Sequence, residues 1–152
     1  MKFEQSRFAN NNFVRHSFDF GNVYFLSNIL ISEYTEGYTI GYKNVQEFLH
    51  IAEDFYGDHT DLVYLSNRVN SYSVKPLDWI KIKNKYKNLK SIGIVHYNKL
   101  GKRFLNVEKL FCPLPISDFY SLDEAVAWAA NILIEQGKDN IDLSPLKLMK
   151  AK

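Results

Sequence analysis

The feature that most constrains this chain is the order of its strand-like and helix-like segments, which closes on Ile116-Ser117-Asp118-Phe119-Tyr120-Ser121-Leu122-Asp123-Glu124-Ala125-Val126-Ala127-Trp128. A short apolar strand there runs straight into an alanine-rich helix. Ser121 and Glu124 stand at the Ser-x-x-Glu spacing that satisfies two orphan backbone donors at once. Three earlier strand and helix alternations precede it. At 152 residues the chain has the size of one domain. Such alternation within one domain predicts a mixed α/β sandwich, with helices packed on a sheet.

Each segment has its own signal. Residues 1–17 read as a polar lead-in, although Phe3, Phe8, Phe13 and Phe18 recur every five residues, a spacing that fits neither helix nor strand. Residues 18–35 read as a hairpin turning at Ser27-Asn28. Val45, Phe48, Leu49, Ala52, Phe55 and Tyr56 fall at helical spacing over residues 42–56, and Gly57 is a natural stop. Leu62-Val63-Tyr64-Leu65 is a continuous apolar run, as in a strand covered on both faces. Ile80 to Lys87 alternates with period two, but Pro76 and Asp78 suit a first helical turn. Its place between two buried strands predicts a crossover helix with Leu77, Ile80 and Tyr86 inward. Residues 91–95 read as the next strand. Residues 103–111 read as a short helix burying Phe104, Val107, Leu110 and Phe111. The last helix is expected to bury Leu122, Ala125, Val126, Ala129, Ile132 and Leu133 and to stop at Gly137, leaving residues 138–152 as a tail. The expectation is one domain over residues 18–137, with about four to five strands and about four helices.

Aromatic residues make up 15% of the chain, so its core should be bulky. The lone Cys112 rules out an internal disulfide framework and suits a reducing compartment. No stretch of signal-peptide type occurs in residues 1–20, and no apolar run approaches the roughly 20 residues of a membrane span. A soluble, cytoplasmic protein is expected. Charge is polarised: residues 1–61 carry nine acids against four bases, whereas residues 75–109 carry ten bases against only Asp78 and Glu108. That basic stretch needs an acidic or solvated counterpart.

With its closing segment, this order resembles the SpoIIAA-like proteins of the STAS and CRAL-TRIO-related superfamily, which end in a strand, an acidic turn and an "EALAW"-like helix. The resemblance covers roughly residues 18–136. It implies a mixed sheet with helices packed on it, and a non-enzymatic role in binding or regulation of bacterial type. STAS-group antagonists place a phosphorylatable serine in an Asp-Ser-Ser-Gly-like turn at the start of a helix. The matching place here, Asn70-Ser71-Tyr72-Ser73-Val74, lacks the acid and the glycine. A phosphate on Ser71 or Ser73 would meet a helix N-terminus and Lys75; turn-forming and capping serines are the plainer reading.

Other candidates are weaker. Glu47-x-x-His50-x-x-Glu53 is half of a di-iron carboxylate signature, which needs a second copy on another helix. A solvated acidic face explains it. His59, between Asp58 and Asp61, reads as a surface histidine. Cys112 and His96 share no local nucleophile signature, but His96 follows a buried strand, where sites gather in α/β folds. No phosphate-cradling or nucleophile-elbow motif occurs among the seven glycines. No catalytic residue, metal or cofactor is therefore expected. The chain reads as a module for a protein partner or self-association, with Arg68, Asn70, Ser71, Ser73 and Lys75 as partner or phosphate contacts. One alternative is an apolar ligand or anionic membrane surface, rimmed by Trp79, Lys81, Lys83, Lys85 and Tyr86. Another is weak non-specific nucleic-acid binding through the lysines, the lack of arginine in that helix arguing against base reading.

Overall fold

The computed structural model describes residues 1–135. Gly137 and the tail at 138–152 lie outside the described residues. In chain order the elements are β1 (Val14–Phe18), β2 (Gly21–Phe25), β3 (Ile29–Tyr34), β4 (Thr39–Ile40), α1 (Tyr42–Tyr56), β5 (Leu62–Asn67), β6 (Ser73–Val74), α2 (Asp78–Lys85), β7 (Leu89–Val95), α3 (Lys99–Phe111), β8 (Ile116–Phe119) and α4 (Leu122–Glu135). Six strands form one mixed sheet in the order β1-β2-β3-β5-β7-β8, and β4 pairs with β6 in a small parallel ribbon. Strands β1 to β3 are antiparallel neighbours, while β3, β5, β7 and β8 run parallel. A mixed α/β sheet with four helices is thus what the alternation predicted, with more strands than expected.

The additional sheet strand is β1. Its residues Val14-Arg15-His16-Ser17-Phe18 are mostly polar and half out of the core, because β1 is an edge strand. A strand that buries so little writes no apolar run into the sequence. Its turn into β2 depends on Gly21, whose φ is 142° and where an added Cβ would lie 2.3 Å from the carbonyl oxygen of Glu33. The β2–β3 hairpin turns at Ser27-Asn28 as expected, with the Leu26 amide donating to the Ile29 carbonyl at 2.9 Å and Asn28 at φ 49°.

Two apolar layers sandwich the sheet. One packs α1, α2 and Leu105 of α3 against it; the other packs α4 and the N-terminal segment against the opposite face. Gly93 in β7 makes room for this second layer: a Cβ there would stand 2.9 Å from Cζ3 of Trp128 and 2.7 Å from Cδ2 of Leu65.

Residues 1–17 are no polar lead-in. Two 3-10 turns, Phe3–Gln5 and Arg7–Asn10, drive Phe3 and Phe8 fully into the core beside α4. The five-residue phenylalanine spacing is the sum of these turns and the following strand, not a period. Phe3 and Phe13 meet edge to face at 5.0 Å, and Phe3 lies 4.4 Å from Tyr24. Phe18 stacks on Phe20 on the other side of the sheet.

Helix faces depart further from expectation. α1 buries Val45, Phe48, Leu49 and Ala52, but Phe55 stays exposed with its edge on Phe25. α2 is a helix, yet it turns Trp79 and Ile82 inward and leaves Leu77 and Ile80 in solvent; Tyr86, just past its end, is buried as expected. Trp79 buries more area than either Leu77 or Ile80, and its indole finds a partner inside. In α4, Leu122, Ala125, Val126, Ala129 and Leu133 are buried as expected, together with Ala130, while Ile132 is half-buried. The Glu124 amide donates to Ser121 Oγ at 3.2 Å, one of the two bonds of the expected capping box. Among the described residues no helix is long and apolar enough to cross a membrane.

The largest reversal is α3. Phe104, Val107, Leu110 and Phe111 all face solvent, and the helix buries Leu105 and Glu108 instead.

Candidate functional site

A cleft forms where β5, β7 and β8 end, the edge of a parallel sheet at which ligands commonly bind. Its walls are Arg68, Asn70, Ser71 and Tyr72 after β5, His96 to Asn98 after β7, and Leu100, Gly101 and Phe104 on α3. A second, more open depression continues from His96 past Lys99 and Lys102 to Tyr120.

Two polar clusters brace this region, one buried at Glu108 and one half-buried at Asp118. The Arg68 guanidinium grips Glu108 in bidentate fashion, Nη1 to Oε2 at 2.6 Å and Nη2 to Oε1 at 2.8 Å. The Trp79 indole donates to the same carboxylate at 3.1 Å. Arg68 also lies over the Tyr72 ring, 5.6 Å from its centroid. Burial works against the guanidinium charge, but Tyr72 and Glu108 hold its pKa above the usual value. Beneath it runs a chain of hydroxyls: Ser66 bonds Tyr72 at 2.9 Å, and Tyr64 bonds both Ser32 and Tyr34 at 2.5 Å. Burial pushes the Tyr64, Tyr34 and Tyr72 hydroxyls upward, so they stay protonated as donors.

The other cluster is centred on Asp118 of β8. His96 Nε2 lies 2.8 Å from Oδ2, Lys102 Nζ reaches Oδ2 at 2.5 Å, and Lys109 Nζ reaches Oδ1 at 2.6 Å. Burial alone would raise the carboxyl pKa, but the bonds from Lys102, Lys109 and His96 hold it well below the ordinary carboxylate range. A depressed carboxyl stabilises the fold at pH above its unfolded value near ~3.9 and loses that contribution as pH falls through the folded value. Asp118→Asn is therefore expected to cost about 2 kcal/mol at neutral pH. The gap from wild type should shrink as pH falls below about 4. Urea unfolding across pH 2.5–7 checks this, and a gap that does not depend on pH would refute it.

Of the sequence candidates, the fold brings Arg68, Asn70 and Ser71 together with His96 at the cleft. Asn70 Nδ2 donates to the Tyr34 carbonyl at 3.0 Å, and the Ser71 carbonyl accepts from the Gly37 amide at 2.8 Å. Ser73 and Lys75 sit elsewhere. Ser73 belongs to β6 and its amide donates to the Tyr38 carbonyl at 2.9 Å; the Lys75 amide donates to the Ile40 carbonyl at 2.9 Å. Neither serine stands at a helix start, because α2 begins only at Asp78. The Asp78 carboxylate itself caps α1, accepting from the Tyr42 amide at 2.7 Å. The dipole argument for a phosphoserine at 71 or 73 therefore has no helix to act through.

The expected apolar-ligand rim is also displaced. Trp79 and Tyr86 are buried core residues, and the space among Trp79, Ile82, Tyr64 and Val45 is about 20 Å³, room for one water. Lys81 and Lys85 are solvated and Lys83 is half-buried, Lys81 lying 3.9 Å from Asp78. Among the described residues no group of three or more His, Cys, Asp or Glu side chains is arranged to hold a metal. His96 pairs with Asp118, not with Cys112, whose thiol burial pushes upward in pKa.

Glu108 and Asp118 escaped sequence reasoning. For Glu108 there was a signal: it is one of two acids in a stretch with ten bases, and it stands among apolar residues on a helix. A lone acid so placed is a candidate buried partner for arginine. Asp118 sits in an ordinary strand-to-turn context and carries no comparable mark.

No family model matches the chain, and no curated protein matches it. Among solved structures, it is similar to an uncharacterized protein of the DUF3478 family with a SpoIIAA-like fold from Shewanella loihica PV-4. The two share 16% identity and a TM-score of 0.47, over 78% of this chain and 92% of that one. The fold named for that protein is the one the closing segment resembles. At this distance the likeness carries no argument about activity, and it does not touch the CRAL-TRIO link.

Proposed function

We propose that this chain is a non-enzymatic binding and regulatory module that docks a protein partner at the strand-end cleft. One observation carries the reading. The polar groups of the cleft are bonded to one another, Arg68 to Glu108 and His96 Nε2 to Asp118, and so form preformed walls. Around them lie Tyr72, Tyr97, Asn70, Ser71, Leu100 and Phe104, a mixture of aromatic, amide and hydroxyl groups with few free charges. Protein interfaces have that composition: aromatic anchors, sparse charge at the centre and a polar rim.

Photo-crosslinking tests the reading. A benzophenone-bearing residue at exposed Ser71 of the full chain should capture protein, either another polypeptide or a second copy. Adducts confined to lipid or nucleic acid would overturn the proposal, as would turnover that depends on His96.

A further inference from the structure

We infer that the outer face of α3 receives an acidic amphipathic helix from the partner protein. The inference rests on the protein-docking reading above and names the partner's recognition element. Leu100, Phe104, Val107 and Phe111 are 60%, 59%, 45% and 40% exposed. Their spacing of four, three and four residues is that of a knobs-into-holes seam. Over about 1.5 Å per residue it extends roughly 17 Å along the helix.

This exposure is held in place by polar anchors. Rotating α3 to bury the seam would tear Glu108 from Arg68 and Trp79. It would also part Lys102 and Lys109 from Asp118. Asn98 pins the first turn, its side chain accepting from the Gly101 amide at 2.7 Å. The buried Arg68–Glu108 pair is costly to break one-sidedly, so it dictates which face looks outward. An apolar seam kept outside by such anchors is a surface awaiting a cover.

Charge says what covers it. Every exposed charge on α3 is cationic, Lys99 and Arg103, because its one acid, Glu108, is buried. A second copy packed seam to seam in parallel would set Lys99 and Arg103 of both chains side by side, a like-charge arrangement, and in either orientation its α3 brings no exposed acid to meet them. The chain's own residues 138–152 carry four lysines against two aspartates, a net cationic segment that does not complement a cationic face. A helix with apolar residues at the same spacing and Asp or Glu on its flanks meets both demands, since flanking charges select coiled-coil partners. Leu100 and Phe104 also line the cleft, so the seam and the docking site are continuous.

A display library of 20-residue helices, with a fixed apolar seam and randomised flanks, tests this against the full-length protein. Enriched clones should be net acidic, bind at least tenfold more weakly at 0.5 M than at 0.05 M salt, and lose at least tenfold in affinity with Phe104→Glu. His50→Ala, at an exposed position on α1, should leave binding unchanged. Phe104 lies outside the core, so its variant should keep the wild-type melting temperature. An absence of binders, enrichment without acidic flanks, or indifference to Phe104→Glu would overturn the inference. So would a dimer abolished by Phe104→Glu in sedimentation velocity, or Phe104-dependent binding to phosphatidylserine vesicles. The two readings fail separately: protein crosslinks at Ser71 that persist in Phe104→Glu leave the docking cleft standing and remove only the α3 helix partner.

Discussion

Glu108→Ala is expected to destabilise the fold by about 3–5 kcal/mol, the range for removing one partner of a buried ion pair. The Glu108 side chain is almost wholly buried, with both oxygens engaged by Arg68 and one also by Trp79. Without it, a buried guanidinium and an indole N–H both lose their acceptor. The urea midpoint should fall by roughly 1.5–2.5 M at an ordinary slope for this size. Glu108→Gln keeps an acceptor for Trp79 and one arginine nitrogen, so it should cost distinctly less. Replacing both partners with apolar residues, Arg68→Met with Glu108→Leu, should recover most of the loss, because no charge is left stranded. Indistinguishable unfolding curves for wild type and Glu108→Ala would mean that the pair does not anchor α3, and the fixed outward seam would go with it.

Phe3→Ala should cost about 3–5 kcal/mol, as for other phenylalanines cut from a core. The ring is fully buried between Tyr24, Phe13 and the α4 layer. Its backbone N–H also donates to Glu33 Oε2 at 2.7 Å, and Asn67 donates to the same oxygen at 2.7 Å. Burial raises the Glu33 carboxyl pKa, and these two bonds pull the other way. Loosening the N-terminal turns would therefore leave a buried carboxyl with less support as well as a cavity. The melting temperature should drop by roughly 10 °C. A drop of less than two degrees would show that residues 1–10 are an appendage after all.

These two residues mark where reading from sequence stops. Residues 42–56 and 122–135 were legible as helices because their apolar spacing, Gly57 and Ser121 are local signals. Leu62 to Leu65 was legible as a central strand because a run buried on both faces has no polar side to show. Phe3 and Phe8 were not, since two short 3-10 turns leave no period, and β1 was not, since an edge strand buries too little. In the site, no helix starts beside Ser71 or Ser73, and Arg68, Asn70 and Ser71 share the cleft with His96 because all of them follow buried strands.

Composition and periodicity alone determined that the chain forms a mixed sheet under helices, with its cations gathered between residues 75 and 109. Which face each helix turns inward was settled only in three dimensions. Hydrophobic attraction has no direction: α2 offered two apolar faces of similar worth, Leu77 with Ile80 and Trp79 with Ile82, and α3 turned its richer apolar face outward. Hydrogen bonds to charged groups are directional, and Glu108, reached by Arg68 from one side and Trp79 from another, broke the tie.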